Sequence, residues 1–166
     1  MEIRFRAVEH YDLRPTRDLV DQAFKPEDVA AFLDGLRSDG CILGEWLAED
    51  VSGLVGHIVF SRVWVEGKDG ERVKAAMLTP LAVRPDRQRS GIGQRLMAFA
   101  LQALEEGGET LFFVLGHPEY YPKAGFRAEL AADVESPWTG NPAFMARGQG
   151  PLRGRLILPA VIEAAS

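Results

Sequence analysis

Residues 83–96 read VRPDRQRSGIGQRL. Gly91 and Gly93 stand where an apolar stretch gives way to an amphipathic one, and Arg84, Arg87, Arg89 and Arg95 surround them. A helix that begins here exposes unpaired amide N–H groups and the positive end of its dipole. Glycines without a Cβ let an anion approach that backbone closely. The chemistry on offer is capture of a phosphate or diphosphate. The dipole alone contributes about 0.3–1 kcal/mol, so several amides and an arginine have to act together. Two familiar phosphate loops do not fit. There is no GxxxxGK[ST], and Leu96 stands at the third glycine of GxGxxG. Spacing alone leaves a glycine-started helix after an exposed loop as an equal reading.

Other reactive side chains are few. Cys41 is the single cysteine and cannot close an internal disulfide. With no signal segment in view, that usage points to the reducing cytoplasm. The histidines, His10, His57 and His117, show no metal-ligand spacing. A net charge of −5 makes nucleic acid a poor principal partner. No apolar run reaches the length of a membrane span. The 166 residues, 46% hydrophobic and 26% charged, suit one soluble domain over 1–166, as a monomer or homodimer.

The elements that must position the glycine loop follow from periodicity. Residues 2–8 alternate apolar and charged side chains, a strand pattern. Residues 16–24 and 26–37 read as two short helices, the second opened by Pro26 with Val29, Phe32, Leu33 and Leu36 on one face. Strands over 41–49, 54–65 and 72–83, separated by turn residues, make an antiparallel meander. Residues 91–106 form the clearest helix, with Ile92, Leu96, Phe99, Ala103 and Leu104 on one face and Gly107-Gly108 as the stop. The continuous apolar run LFFVL at 111–115 is a strand buried on both faces. Strand 72–83, helix 91–106 and strand 111–115 then compose a β-α-β unit with parallel strands. PEYYPKAGF holds a short helix, 126–130 and 153–159 read as two last strands, and 131–150 as a loop.

The segment Gln88-Arg89-Ser90-Gly91-Ile92-Gly93 matches the (Gln/Arg)-x-x-Gly-x-(Gly/Ala) signature of the GCN5-related N-acetyltransferase (GNAT) superfamily. Tyr121-Pro122-Lys123-Ala124-Gly125-Phe126 resembles that family's Tyr-x-x-x-Gly-Phe segment. The strand order fits as well. GHIVFSRV at 56–63 and FVLGHPEYYPKAGF at 113–126 are similar to YhbS-type predicted N-acetyltransferases, and the resemblance covers roughly residues 1–130. It implies a mixed α/β fold: a central sheet of six to seven strands, an antiparallel N-terminal meander, and a β-α-β cofactor unit flanked by helices. The implied activity is acetyl transfer from acetyl-CoA to a primary amine of a small molecule or peptide. A non-catalytic acyl-CoA-binding module and a protein-interaction domain are the other readings of the same fold.

The resemblance also assigns residues. Leu81, Ala82 and Val83 would pair with the pantetheine arm, and the amides of Gln88, Arg89, Ser90, Gly91, Ile92, Gly93 and Gln94 would cradle the pyrophosphate. The strands carrying Val83 and Leu115 would splay, with the thioester between them and a backbone N–H near Leu81 on its carbonyl. Tyr121 resembles the general acid, since a phenol holds its proton at neutral pH and can hand it to a departing thiolate; Tyr120 is then its core neighbour. Many members carry an Asn after the fifth strand, whereas this chain has Gly116-His117. The base is open among His117, His57 and Glu45, with a water chain as a further route.

Overall fold

The computed structural model describes residues 2–149 and 152–166. In chain order the elements are β1 (Arg4–Ala7), α1 (Leu13–Phe24), α2 (Val29–Asp39), β2 (Ile42–Asp50), β3 (Gly53–Glu66), β4 (Arg72–Val83), α3 (Ile92–Glu106), β5 (Leu111–Leu115), α4 (Ala128–Ala131), β6 (Val134–Glu135), β7 (Phe144–Gly148), β8 (Gly154–Ile157) and α5 (Ala160–Ala165). They build a mixed sheet of eight strands rather than six or seven, in the order β1-β2-β3-β4-β5-β7, with β8 continuing along β3 and β6 beside it. The β2–β4 meander is antiparallel and β4 runs parallel to β5, as the turn residues and the apolar run predict.

Helices cover the two faces unequally. α3 packs Ile92, Leu96, Met97, Ala100, Leu101 and Leu104 onto one side, against Ile58, Phe60 and Phe112. The other side receives α1, α2 and α5 through Val20, Leu33, Leu36 and Ile162, which meet Val59 and Ala82. The alternation of β3 and β4 side chains decides which core each residue joins. α2 begins at Val29 instead of Pro26, because Asp28 is its cap: the Asp28 carboxylate accepts from the Ala31 N–H at 3.0 Å.

The C-terminal third departs furthest from the sequence reading. Residues 126–130 are not a strand. Ala128–Ala131 is a single helical turn of good helix formers, and only Arg127 bridges Ala146. Within the expected loop 131–150, Phe144–Gly148 pairs antiparallel with all of β5, and Val134–Glu135 pairs with β8. Their partners are distant in sequence and the segments are too short for periodicity to report. Strand 153–159 is confirmed as the shorter β8.

β4 carries the feature that shapes the site. It hydrogen-bonds β5 only through Ala76 opposite Phe112 and Met77 opposite Phe113. Beyond Met77 the β3 register slips: Ile58 faces Leu81 and Phe60 faces Leu78, so Val59 opposes both Thr79 and Pro80. This is a bulge on a central strand, at a proline that has no N–H to give the ladder. A bulge bends its strand and raises the local twist. From there β4 leaves β5, and a wedge opens between Val83 and Leu115.

Candidate active site

A cleft of about 1240 Å³ follows the wedge. Leu81, Ala82 and Val83 form one wall, residues 115–121 the other, and the 87–94 loop one end. Gly91 caps α3 with φ +86 and has no atom within 4 Å of where a Cβ would sit, so the approach to the helix N-terminus is open. Arg89, at φ 63, takes the left-handed conformation next to it. These are the properties that an anion-binding turn requires.

The arginines do not all face the cradle. Arg84 bonds Asp86 at 2.7 Å and Ser52 at 3.1 Å, and Arg87 is held by Asp50, so both are tied back toward the β2–β3 turn. Arg95 lies over the Phe5 ring at 5.1 Å. Arg89 is left exposed at the loop. Gln88 turns its amide onto Val83 O at 3.1 Å and Ser90 bonds Arg87 O, so the loop is braced by its own side chains while its backbone stays presented.

The two tyrosines have exchanged their expected burial. Tyr121 is the core residue, 9% exposed, packed at right angles to Phe126 and Tyr120. Burial, with a smaller contribution from Tyr120, pushes its phenol above the ordinary tyrosine range. Tyr120 is half-buried and also raised by burial, and its hydroxyl lies against Gly93. Both line the cleft.

Two residues named from the sequence, Gln94 for its backbone amide and Gly116 in place of the family's Asn, have positioning roles that only the structure shows. The Gln94 side chain donates to Tyr120 O at 2.8 Å and so locks the tyrosine segment to the first turn of α3. Gly116 lies under the Tyr121 ring, where a Cβ would stand 2.2 Å from Cε2. Its N–H bonds Ala143 O at 3.0 Å. The reading of 72–83 as a plain strand passes over Pro80, although a proline inside a central strand is the signal of a bulge.

Of the three base candidates, only His117 lines the cleft, exposed at its rim. His57 and Glu45 are brought together elsewhere, on the face covered by α1 and α2. The fully buried His57 donates from Nε2 to Glu45 Oε1 at 2.8 Å. Arg37 grips the same carboxylate at 2.8 and 3.3 Å and reaches Leu13 O and Thr16 Oγ1. Burial would raise the Glu45 carboxyl, but the His57 and Arg37 contacts outweigh it and hold it below its ordinary value. Burial lowers His57, with Glu45 opposing in part. The Glu45–Arg37 ion pair joins the sheet to α1 and α2, and His57 Nδ1 is buried with no hydrogen-bond partner among the described residues. Among the described residues no cluster of metal-ligating side chains occurs, and no helix is long and apolar enough to cross a membrane.

The acetyltransferase (GNAT) domain family matches residues 44–128, about half of the chain, from mid-β2 through the tyrosine segment into α4. The chain belongs to the GNAT acetyltransferase family. Its chemistry is therefore acyl transfer. Among curated relatives, the uncharacterized N-acetyltransferase YhbS of Escherichia coli K12 is 31% identical over 124 residues, covering 74% of this chain and 72% of that protein. Among solved structures, a GNAT acetyltransferase from Brucella melitensis in complex with acetyl-CoA superposes with a TM-score of 0.80 at 26% identity, covering 97% and 98% of the two chains. Escherichia coli YhbS in complex with CoA gives a TM-score of 0.83 at 26% identity, over 94% and 89%. The GNAT fold thus accounts for the mixed sheet and its splayed β4–β5 pair.

Proposed function

We propose that this GNAT chain, acting as one unit in the cytoplasm, transfers the acetyl group of acetyl-CoA to a primary amine, with Tyr121 as general acid. The observation that carries the reading is the wedge: β4 and β5 part after one short ladder, an open helix N-terminus lies at one end, and a buried phenol lines the gap. The acetyl-CoA and CoA bound in the two structural relatives support the choice of cofactor. The half-buried, unpaired Cys41 supports a reducing compartment.

The residues fit such a group. Amides from Gln88 to Gln94 face the open approach at Gly91 and would hold its diphosphate. The backbone of Leu81, Ala82 and Val83 would hold its arm as an added strand. Pro80 has no N–H, so the donor to the acyl oxygen falls to Leu81. Bound acetyl-CoA supplies an activated acyl thioester with a thiolate leaving group. Tyr121 holds the proton that this leaving group needs. At ordinary values, transfer from a phenol near 10 to a thiolate near 8.5 runs uphill by about 1.5 units, or about 2 kcal/mol. Burial raises the phenol further, but the same dry wedge raises the departing thiol. Proton transfer therefore accompanies C–S cleavage, and the advantage of Tyr121 is a proton already in place.

The test is ligand selectivity followed by turnover. Acetyl-CoA at 100 times its dissociation constant should add about 2.7 kcal/mol of stability in a thermal-shift measurement, whereas NAD should not, since the dinucleotide fingerprint fails at Leu96. Free thiol should then appear on adding an acceptor amine. Stabilisation by NAD and not by acetyl-CoA would overturn the reading.

A further inference from the structure

The cleft does not stay on one side of the sheet. Its cradle end belongs to α3, whose side chains pack in the core with Phe60 and Phe112. Its far end passes through the wedge to the opposite face, where Phe24 of α1, Phe32 of α2, Trp138 and Ile162 of α5 line it beside Ala82. Phe24, Phe32 and Trp138 are only partly buried, so their rings form an apolar surface at the cleft instead of closing over it. Among the described residues, the only acidic side chain that lines the cleft is Glu119. It precedes Tyr120, whose hydroxyl rests against Gly93 at the cradle end.

From this lining we infer that the acceptor is a monoamine with an aromatic or branched apolar body, and that polycationic amines are poor acceptors. The inference rests on the acetyl-transfer reading of the same cleft. A polyamine or basic peptide would bring further ammonium groups to a surface of rings where, among the described residues, no Asp or Glu side chain apart from Glu119 lines the cleft and Ser166 is the polar residue beside them, and a cation desolvated there without a partner is disfavoured. A single amine on an apolar body meets the reverse situation. Its body buries apolar area against Phe24, Phe32 and Trp138, and its amino group reaches the wedge. The same desolvation lowers the amine's pKa and raises the share of the neutral, attacking form. That assists deprotonation at a site whose two buried candidates, His57 and Glu45, are engaged with each other and Arg37. In the transfer, the amine nitrogen forms the new C–N bond as the C–S bond breaks; the phenol proton of Tyr121 goes to the sulfur, and the proton shed by the nitrogen leaves to water.

The experiment uses 2-phenylethylamine and spermidine as acceptor probes and the full chain throughout. Calorimetry on CoA-saturated protein should show saturable binding of 2-phenylethylamine and at least tenfold weaker binding of spermidine. Thiol release from acetyl-CoA should follow the same order in kcat/KM. Phe32→Ala and Trp138→Ala should each raise KM for 2-phenylethylamine by roughly 10- to 100-fold, the scale of one lost ring contact, with the acetyl-CoA KM unchanged. Two variants on separate elements guard against one that fails to fold. Spermidine binding or reacting better than 2-phenylethylamine overturns the inference while acetyl transfer stands. Absence of saturable 2-phenylethylamine binding overturns it equally. If Phe32→Ala leaves the amine KM alone but shifts preference among acetyl-, butyryl- and hexanoyl-CoA, the rings hold the acyl chain and the inference fails. Failure of the chain to bind CoA at all would instead refute the acetyl-transfer reading beneath it.

Discussion

Replacing Tyr121 by Phe separates its proton from its packing. The ring keeps its edge contacts with Tyr120 at 5.1 Å and Phe126 at 6.0 Å, and still covers Gly116. The hydroxyl has no hydrogen-bond partner among the described residues, so its loss leaves no buried group orphaned. Thermal stability should stay within about 0.5 kcal/mol of the parent, as for substitutions that break no contact. The dissociation constant of CoA should not move, because in the proposed role the phenol would act on charge that develops only as the thiolate departs. Turnover is another matter. Positioned acid catalysis is worth about 10² to 10⁴, or about 2.7–5.4 kcal/mol of activation free energy. A ring 9% exposed leaves little room for water to replace it, so the upper half of that range is expected.

The assay is thiol release under saturating acetyl-CoA, with kcat and kcat/KM falling together. Tyr120→Phe is the companion variant and should change kcat less than threefold. The pH profile adds an independent reading. Burial keeps the Tyr121 phenol protonated well past the ordinary range, so the parent enzyme should show no falling alkaline limb from this group below about pH 10. Wild-type turnover in Tyr121→Phe with a crippled Tyr120→Phe would mean that the half-buried tyrosine is the acid. A loss in CoA affinity equal to the loss in kcat would make Tyr121 a binding residue.

Two further outcomes test the frame around it. Gly93→Val should weaken CoA binding at least tenfold by calorimetry, because a Cβ there would lie 2.1 Å from the Tyr120 hydroxyl and displace it into the cradle; unchanged affinity in a folded variant would refute the close approach at Gly93. His57→Gln keeps a donor for Glu45 but removes a titrating ring. Since burial lowers the folded-state pKa of His57, the unfolded chain takes up its proton first, and the parent should lose stability as pH falls below about 6.5. The variant should lack that slope in urea titrations at pH 7 and pH 5.5, and an identical slope in both proteins would exclude His57 as its source.

What the sequence discloses depends on the range of the interaction. The meander and α3 are legible because their side-chain periods run for nine residues or more. The pattern Gln88–Gly93 is legible through its match to the GNAT signature, since spacing alone leaves an ordinary glycine-started helix as an equal reading. The wedge is half legible: Pro80 announces a bulge, but only the β5 register shows that the bulge falls just past the last shared hydrogen bonds. β7 is illegible locally, since five residues pair with a strand some thirty positions earlier. Glu45 and His57 suggested chemistry because a mid-strand carboxylate and a strand histidine are unusual. Their explanation, Arg37 on α2, lies outside any motif. Tyr120 and Tyr121 are adjacent and alike in sequence; the Tyr-x-x-x-Gly-Phe resemblance singles out Tyr121, and packing against Phe126 and Gly93 shows how differently the two are buried.

The placement of charge bears on how a site whose one cleft-lining base candidate is the rim residue His117 would favour amide formation. Asp12, Glu45 and Asp50 are paired with Arg6, Arg37 and Arg87, and none of these three carboxylates lines the cleft. The wedge is lined by Leu81, Ala82 and Val83 and by Tyr121, with His117 and Glu119 on the 115–121 wall and aromatic rings beyond. In such surroundings fixed dipoles act at low effective dielectric, so the amides of α3 and the Leu81 N–H count for more than they would in water. The same surroundings would penalise an ammonium ion and so favour entry of the proposed acceptor as the neutral amine. A carboxylate placed beside the thioester would help remove the amine proton, but it would also oppose negative charge forming on the acyl oxygen and the sulfur. With Glu45 held under Arg37 and His57 that conflict does not arise at the wedge, and the apolar acceptor proposed above would itself supply the desolvation that favours the neutral amine.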